Sequence, residues 1–370
     1  MIKGVGTLKG MENFAKRFPE ASKAGHFRKV GGAAFSSIGL GTYLGDMDDA
    51  TDQKSYQATV QCVKSGVNVI DSAINYRGQR SERVIGKVLH DLIEHNKLAR
   101  EEIFLSTKGG FIPFDADYPS NPANYFAENY IDPGILKEEE VVQGCHAMTP
   151  KYLDNQLERS LRNLGVDTID LYYIHNPETQ LEELAEDEFY DHLKKAFLLL
   201  EKKVEEGKVK MYGTATWNGF RIPHESKGYL SLKKVSEAAI HAGGERHHFK
   251  AIQLPYNLGM SEALTNQNQP WEGEAVSAIE FARRAGLLVF TSASLLQGRL
   301  AQRTPDKIRS LLPECSSQAA CALQFVRSTP GVTTALVGMK SLSHVSENLN
   351  LAQVPLLNEE AFTNLFASHP

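Results

Sequence analysis

The sequence predicts an α/β fold, a (β/α)8 TIM barrel with an N-terminal arm and a long, lid-like insert after the third strand. Short apolar runs alternate with longer amphipathic runs between residues 37 and 352, which is the pattern of repeated βα units. Four polar residues also stand at or just beyond the ends of predicted strands: Asp71, Tyr76, Lys108 and His175. Because a parallel barrel builds its active site at the carboxyl ends of its strands, this arrangement favours a barrel enzyme.

The predicted strands are short, apolar and rich in β-branched residues, and each is followed by a longer helical stretch. The strands are predicted at residues 37–41, 67–71, 103–108, 169–175, 209–214, 251–254, 287–292 and 333–337. The helices are predicted at residues 52–65, 80–94, 149–164, 186–206, 231–242, 274–285, 316–328 and 343–351. Gly66, Gly207 and Gly286 follow three of these helices, and glycine readily ends a helix in the left-handed conformation.

Residues 37–352 are expected to form a single domain, because no linker rich in serine and proline interrupts the series. Residues 1–36 are rich in glycine and basic residues and have no clear period. We expect them to form an arm with a short hairpin that plugs one end of the barrel. Residues 353–370 are expected to form a C-terminal tail.

The insert of residues 109–148 follows the strand that carries Lys108. A loop of this length without secondary structure is usually functional, so we predict a lid or a wall of the substrate pocket. Its aromatic side chains are candidates for an aromatic lining of that pocket: Phe111, Phe114, Tyr118, Tyr125, Phe126 and Tyr130. Residues 176–185 leave the strand end that carries His175 and are expected to line the same mouth.

The composition favours a soluble globular protein with a small-molecule ligand. A net charge of −5 argues against a nucleic-acid partner, which would require a basic surface. The four cysteines have no repeated pair spacing, so neither a disulfide framework nor a zinc site is indicated. The sequence contains no signal peptide core and no apolar stretch long enough to span a membrane. We therefore expect a cytoplasmic protein without membrane contact, and the oligomeric state stays open.

The four polar residues at the strand ends can form one proton-transfer site. A lysine ammonium favours the phenolate, so we expect Lys108 to lower the pKa of Tyr76 from its usual value of about 10. Asp71 would keep Lys108 charged and in place, and His175 could hydrogen-bond the same substrate oxygen or pass it a proton. Such a site suits carbonyl reduction, and a nicotinamide cofactor is expected because no side chain supplies a hydride.

Each of these residues also has an ordinary structural explanation. Asp71 could cap a helix, and Lys108 could be a surface lysine. Tyr76 could be a core ring with a solvated hydroxyl, and His175, which precedes Asn-Pro, could cap a loop. The functional interpretation depends on the order of these residues and on their shared position at strand ends. Cys145 and His146 are adjacent in the insert, but adjacent residues make poor paired ligands and no second pair follows, so we expect no metal site.

Several stretches of the sequence resemble the aldo-keto reductase family. They are GLGTYLG (39–45), GVNVIDSAINYRGQRSERVIGKVL (66–89), STKGG (106–110), DLYYIHNPE (170–178), GKVKMYGTATW (207–217), IQLPYN (252–257) and VGMKSLSHVSENL (337–349). The resemblance implies a (β/α)8 barrel, NADP(H) bound at its C-terminal face, and reduction of an aldehyde or ketone. It also implies Tyr76 as general acid/base, Lys108 and Asp71 as the pair that tunes it, and His175 as the orienting partner.

The last predicted strand–helix junction is a candidate phosphate site. A junction of this kind offers free backbone N–H groups and the positive end of the helix dipole to an anion. Lys340, Ser341 and His344 add donors in the first turn, and their positive charge suits an adenosine 2′-phosphate. NADP is therefore favoured over NAD.

The resemblance implies further cofactor contacts. They are Gly41, Thr42, Tyr43, Thr216, Gln253, Ser292, Gly338, Glu347 and Asn348. By resemblance, Glu347 and Asn348 face the adenine, while Gln253 and Asn257 belong to the nicotinamide side.

Two positions depart from the family pattern. Ala215 and Thr216 stand where relatives commonly carry a Ser-Asn pair that grips the carboxamide. Ser292 stands where a tyrosine often stacks on the nicotinamide. We expect Trp217 or a residue of the insert to supply the missing ring.

Three other functions are compatible with the same residues. The barrel could bind NADP(H) as a sensor or regulatory subunit with little turnover, or it could act as a redox isomerase or dehydratase. It could also be a Schiff-base aldolase with Lys108 as the nucleophile, although Asp71 beside that lysine would keep the amine charged.

Overall fold

The structure, a computed structural model, describes residues 1–312 and 314–366. Eight parallel strands close into a barrel, which confirms the predicted fold class. The strands of the chain are β1 (Phe27–Val30), β2 (Ala33–Ser36), β3 (Ile38–Gly41), β4 (Val69–Asp71), β5 (Phe104–Gly109), β6 (Ile169–His175), β7 (Val209–Ala215), β8 (Phe249–Pro255), β9 (Gln269–Trp271), β10 (Glu274–Val276), β11 (Leu288–Ser292) and β12 (Thr334–Gly338). The barrel consists of β3 to β8 in sequence order, followed by β11 and β12, and β12 pairs with β3 to close it.

The helices surround the barrel and complete its βα units. They are α1 (Leu8–Lys16), α2 (Pro19–Lys23), α3 (Asp49–Lys64), α4 (Arg80–Glu94), α5 (Pro122–Phe126), α6 (Pro150–Leu164), α7 (Glu186–Glu205), α8 (Leu232–Gly243), α9 (Glu262–Thr265), α10 (Ala278–Arg284), α11 (Arg299–Gln302), α12 (Asp306–Leu311), α13 (Gln318–Ser328), α14 (Leu342–Leu349) and α15 (Glu359–Asn364). None of them, among the described residues, combines the length and the apolar character that crossing a membrane requires.

The burial patterns explain why strands and helices alternate. All three residues of β4 and six of the seven in β6 are buried, because a barrel strand faces both the interior and the surrounding helices. In α4 the buried residues Ile85, Val88, Leu89 and Leu92 recur every three or four positions, so one apolar face packs against the barrel.

Residues 1–36 close the amino end of the barrel. The hairpin of β1 and β2 places Phe35 against Phe104 and Phe290, with ring centroids 5.0 Å and 6.3 Å apart. The two helices α1 and α2 precede this hairpin, and the sequence analysis did not identify them. Gly10 lies inside α1, where a Cβ atom would come within 2.2 Å of the Glu101 carbonyl oxygen. Close packing on that carbonyl therefore accounts for a glycine in the middle of a helix.

Two sequence predictions about the elements need correction. The helix predicted at 274–285 begins only at Ala278, because residues 274–276 form β10 and pair with β9. The insert of residues 109–148 is not structureless. It contains α5, a π-helical turn over Ala127–Ile131 and a 3₁₀ turn over Glu138–Glu140, and Tyr130 and Leu136 are buried in a hydrophobic cluster with Tyr152 of α6.

The predicted tail also contains structure. Residues Glu359–Asn364 form α15, and the ring of Phe362 lies 5.6 Å from that of Phe325 on α13. Residues 367–370 lie outside the described residues.

Candidate active site

The carboxyl ends of the barrel strands surround a cavity of about 700 Å³. Asp71, Tyr76 and His175 line it, and so do Lys340, which precedes α14, and Asn348, which lies in α14. One cavity, called the trench below, is therefore lined both by predicted catalytic residues and by residues of the predicted phosphate site. It is large enough for a cofactor-sized ligand.

Lys108 and Asp71 form a buried ion pair beneath this cavity. The Lys108 ammonium is fully buried and lies 2.5 Å from Asp71 Oδ2, and it also donates to the Ser72 carbonyl at 2.6 Å. The other carboxylate oxygen of Asp71 accepts hydrogen bonds from Ser106 Oγ at 2.7 Å and Gln253 Nε2 at 3.0 Å. Burial by itself lowers the pKa of Lys108, but Asp71 and Tyr76 together outweigh burial and raise it overall. Lys108 is thus held as a cation.

Tyr76 lies next to this ion pair, in the loop that follows β4. The Lys108 ammonium is 4.9 Å from the centroid of the Tyr76 ring. The rings of Tyr43 and His175 approach Tyr76 edge-on, at 5.1 Å and 5.8 Å between centroids. The structure therefore brings all four predicted catalytic residues together, three of them in the wall of the cavity and Lys108 behind it.

The predicted direction of the Tyr76 pKa shift was wrong. Burial of the phenol raises its pKa above the usual value, and the opposing effect of Lys108 does not overcome it. The sequence analysis considered the nearby charge but could not weigh the loss of solvent. At neutral pH, Tyr76 is consequently protonated and able to donate.

His175 is the last residue of β6 and is neutral at pH 7. Burial, the Lys108 cation and His146 together hold its pKa well below 6.5. A neutral imidazole offers one N–H donor and no readily lost proton, which favours an orienting role over proton transfer. Its Nδ1 atom is buried and has no hydrogen-bond partner among the described residues.

Most of the predicted cofactor residues line the trench. They are Gly41, Thr42, Tyr43, Thr216, Gln253, Ser292, Gly338, Lys340, His344, Glu347 and Asn348. Ser341 does not line it, because its hydroxyl caps α14 and accepts the His344 backbone N–H at 3.3 Å. Asn257 also lies outside the trench; its amide donates to the Ala293 carbonyl at 2.9 Å and fixes the following loop.

Sequence reasoning missed the loop that follows β11. Ser294, Leu295 and Gln297 line the trench, and Gln297 has a positive φ of 52°. The loop has no apolar period, but its position after the carboxyl end of a barrel strand was a usable signal. Asn75 and Asn176, which stand beside two predicted catalytic residues, line the trench as well.

Of the six aromatic residues of the insert that were predicted to line the pocket, one does so. Phe111 lines the cavity. Phe114 contacts Tyr118 and Tyr125 instead, at 4.7 Å and 5.6 Å between ring centroids, because several aromatic rings of the insert pack against one another. The cavity mouth gains a ring from Trp217, which is 42% exposed and whose backbone N–H donates to Glu178 Oε1 at 2.6 Å.

Comparison with known proteins identifies related sequences and folds. A model of the aldo/keto reductase family matches residues 37–224. A putative voltage-gated potassium channel subunit beta of Schizosaccharomyces pombe is 22% identical over 344 residues, which are 88% of each chain. Aldo-keto reductase str7 of Strobilurus tenacellus is 23% identical over 375 residues, 90% of this chain and 89% of the relative.

The solved structures show the same fold. An aldo/keto reductase from Klebsiella pneumoniae, crystallised with NADP and acetate, superposes with a TM-score of 0.60 at 21% identity. The superposition covers 92% of this chain and 94% of the crystallised chain.

Proposed function

The chain belongs to the aldo/keto reductase family, and we propose that it reduces an aldehyde or ketone to an alcohol with NADP(H), using Tyr76 as the general acid. The observation that carries this proposal is the buried Asp71–Lys108 pair set against the ring of a protonated tyrosine at the cavity wall. A barrel needs no such buried charges for stability alone, because replacing a buried ion pair with apolar residues is often neutral or stabilising.

The trench has the features that an extended dinucleotide phosphate requires. Lys340 lines it and makes no ion pair within the described part of the chain, so its charge is available to a phosphate. Glu347 and Asn348 of α14 offer hydrogen-bonding groups to an adenine, and Gln253 offers its amide oxygen beside Asp71, to which its nitrogen donates. We propose that these residues hold NADP(H) across the carboxyl ends of the strands. Similar aldo/keto reductases have been crystallised with NADP or NADPH.

The residues around Tyr76 then carry out the proton transfer. When bound, a reduced nicotinamide supplies the two electrons that the carbonyl carbon requires. Tyr76 gives its hydroxyl proton to the carbonyl oxygen, and the Lys108 cation stabilises the phenolate that results. His175, which is neutral, orients the carbonyl oxygen by a hydrogen bond. Asp71 holds Lys108 through the cycle, and Lys108 remains protonated, which disfavours a Schiff-base mechanism.

The walls of the cavity favour an uncharged carbonyl compound with an aromatic or apolar body. Tyr43, Phe111 and Trp217 line it, and the rings of Tyr43 and Phe111 meet those of Tyr76 and His175. Arg77 also lines it, but its guanidinium donates to backbone carbonyls of the loop before α3 and pairs with Asp52. The described residues of the wall near Tyr76 therefore offer no free cation for a substrate carboxylate or phosphate.

A fluorescence titration and a turnover screen with matched substrates test this function. NADPH is expected to bind more tightly than NADH, and an aromatic aldehyde to turn over with a higher kcat/KM than its para-carboxylated analogue. The loss for the charged analogue should reach at least about tenfold, since burying an unpaired charge costs several kcal/mol. Tight NADPH binding without turnover on any aldehyde, ketone, α-dicarbonyl or sugar would contradict the reductase function.

The pH dependence of the reaction follows from the two pKa shifts. Since the pKa of Tyr76 is raised, the proton donor is present through neutral pH and is lost as the pH rises through that value. His175 titrates well below 6.5 and introduces no loss between about pH 6 and pH 8. We expect a flat kcat/KM for reduction across neutral pH, a fall at alkaline pH, and a rise of alcohol oxidation over the same alkaline range. Circular dichroism at each pH controls for unfolding, and a fall in reduction between about pH 6 and pH 8 would refute the assignment.

A regulatory subunit that binds NADP(H) is the second candidate function. Several relatives at 22–24% identity are named as subunits beta of voltage-gated potassium channels, and Ala215, Thr216 and Ser292 depart from the usual nicotinamide contacts. Slow exchange of bound cofactor without turnover would favour this candidate. A redox isomerase or dehydratase would use the same residues, and it would return the electrons so that no net NADPH is consumed.

A further inference from the structure

The side chain of His175 is not held by any hydrogen bond to its Nδ1 atom among the described residues. A histidine that orients a reacting group normally donates or accepts through its second ring nitrogen, which fixes the ring. Pairing of β5 with β6 ends at Gly109 and Ile174, so the backbone of His175 is paired only on its other side, with Ala215 of β7. The β7 pairing positions one side of the His175 backbone, so the other side and the imidazole ring must be held by contacts outside the strands.

The insert supplies the first of these contacts through His146. His146 is fully buried, and its Nε2 atom lies 2.7 Å from the carbonyl oxygen of His175. Burial lowers the pKa of His146 to about 4, so the ring is neutral at pH 7. Gln180 donates from Nε2 to His146 Nδ1 at 2.9 Å. Because Nδ1 accepts that bond, Nε2 carries the hydrogen and donates to the His175 carbonyl.

The ring of Phe111 contacts the imidazole rings of both His146 and His175. Its ring meets that of His146 edge-on at 5.1 Å and that of His175 edge-on at 5.1 Å. Phe111 is also paired with His146 through an isolated antiparallel bridge. The imidazole of His175 is thus packed between Phe111 and Tyr76, and the backbone that carries it is bonded to His146.

Gly110 leaves room for this arrangement. It has a φ of +144°, and a Cβ atom at this position would lie 2.7 Å from His146 Nε2 and 2.9 Å from the His175 carbonyl oxygen. Both atoms of the hydrogen bond would be displaced by any side chain. Glycine is therefore required where β5 leads into the insert.

We propose that His146 is a positioning residue, and that the insert acts as a brace that orients His175 rather than as a lid over the cavity. His146 fixes the carbonyl of His175, and Phe111 fixes the plane of its ring, so that the imidazole faces the carbonyl oxygen of the substrate. This inference rests on the proposed role of His175. It gives a function to a histidine that the sequence analysis considered only as a metal ligand.

Two variants of His146 separate positioning from packing. His146→Leu removes the donor at similar volume, and we expect kcat/KM for the carbonyl substrate to fall by about 10- to 100-fold, since small displacements of catalytic groups cost up to about 10² in rate. His146→Gln retains an N–H donor and should recover most of that loss. The dissociation constant of NADPH should change by less than about twofold in both variants. Cys145→Ser, on the adjacent residue, is the matched control and should behave as the wild type.

A second measurement does not depend on turnover. In cofactor-free protein labelled with ¹⁵N in its histidines, the ring signals of His175, assigned with His175→Asn, should shift or broaden in His146→Leu and stay in place in Cys145→Ser. If His146→Leu does not fold, Gln180→Met, which removes only the donor to His146, is expected to produce the same change to a smaller degree.

The outcomes distinguish this inference from the proposed function. If His146→Leu has the kcat/KM of the wild type and its His175 signals do not change, His146 does not position His175. A failure of His146→Gln to recover activity would also count against it, because packing alone would then explain the loss. If the wild-type protein reduces no carbonyl, the proposed function fails, and the histidine signals still decide whether His146 positions His175.

Discussion

Replacing Tyr76 with phenylalanine is expected to lower kcat by about 10²–10⁴-fold, which is the range for removing a general acid. The substitution deletes one hydroxyl oxygen and keeps the ring that contacts Tyr43 and His175. The cavity and its cofactor residues should stay intact. We therefore expect NADPH to bind Tyr76→Phe with nearly wild-type affinity, as measured by fluorescence titration.

Tyr118→Phe provides the matched control for this variant. Tyr118 lies in the insert, is 72% exposed and does not line the cavity, so loss of its hydroxyl should leave kcat unchanged. Equal loss of turnover and NADPH binding in Tyr76→Phe would point to a folding defect. A kcat within a few-fold of the wild type would remove Tyr76 from the mechanism.

Replacing Lys108 with methionine is expected to destabilise the protein by about 3–5 kcal/mol, because it leaves the Asp71 carboxylate buried without its cation. The ammonium makes two hydrogen bonds in the interior, to Asp71 and to the Ser72 carbonyl, and methionine can make neither. Turnover should fall as well, because the phenolate of Tyr76 loses its stabilising charge. Urea unfolding measures the first effect and steady-state kinetics the second.

The pair of Lys234 and Glu186 offers a control with similar local geometry. Their charged atoms are 2.8 Å apart, and Lys234 also lies 5.4 Å from the centroid of the Tyr190 ring. The two side chains are 45% and 53% exposed, so Lys234→Met should cost less than about 1 kcal/mol. The double variant Asp71→Asn/Lys108→Met should lose less stability than Lys108→Met alone, since no charge is left unpaired. Equal losses in Lys108→Met and Lys234→Met would show that the buried pair is unimportant for stability.

The elements of the barrel could be read from the sequence because their local and tertiary preferences agree. Val69 and Ile70 are β-branched and fully buried in β4, as the apolar run around them predicts. Asp71 and Lys108 end two such runs, and strand ends in a parallel barrel meet at one face. Tyr76 comes five residues after Asp71, so it was expected in the loop at the same face of the barrel.

The features that the sequence did not reveal depend on contacts between distant segments. Helix α1 was missed because Gly10 disfavours a helix locally, while the carbonyl of Glu101 requires a glycine there. Ser341 was assigned to the cofactor, but a serine before a helix is equally a cap, and the structure uses it as one.

The wrong direction predicted for the pKa shift of Tyr76 also arises from tertiary contacts that the sequence does not show. The sign of the pKa shift of Tyr76 depends on how much solvent the fold removes, and burial outweighs the nearby cation. His146 was assessed against its neighbour Cys145, whereas its partners are the His175 carbonyl and Gln180, which lie 29 and 34 residues along the chain. The spacing of residues within the insert could not indicate either of these two partners.

The position of a deuterium label in the product tests the central claim most directly. Wild-type protein, an aromatic aldehyde and NADPH deuterated at the transferable position should yield an alcohol with one deuterium on the carbinol carbon, detected by mass spectrometry. A product without the label, or no alcohol although NADPH is bound, would contradict the account.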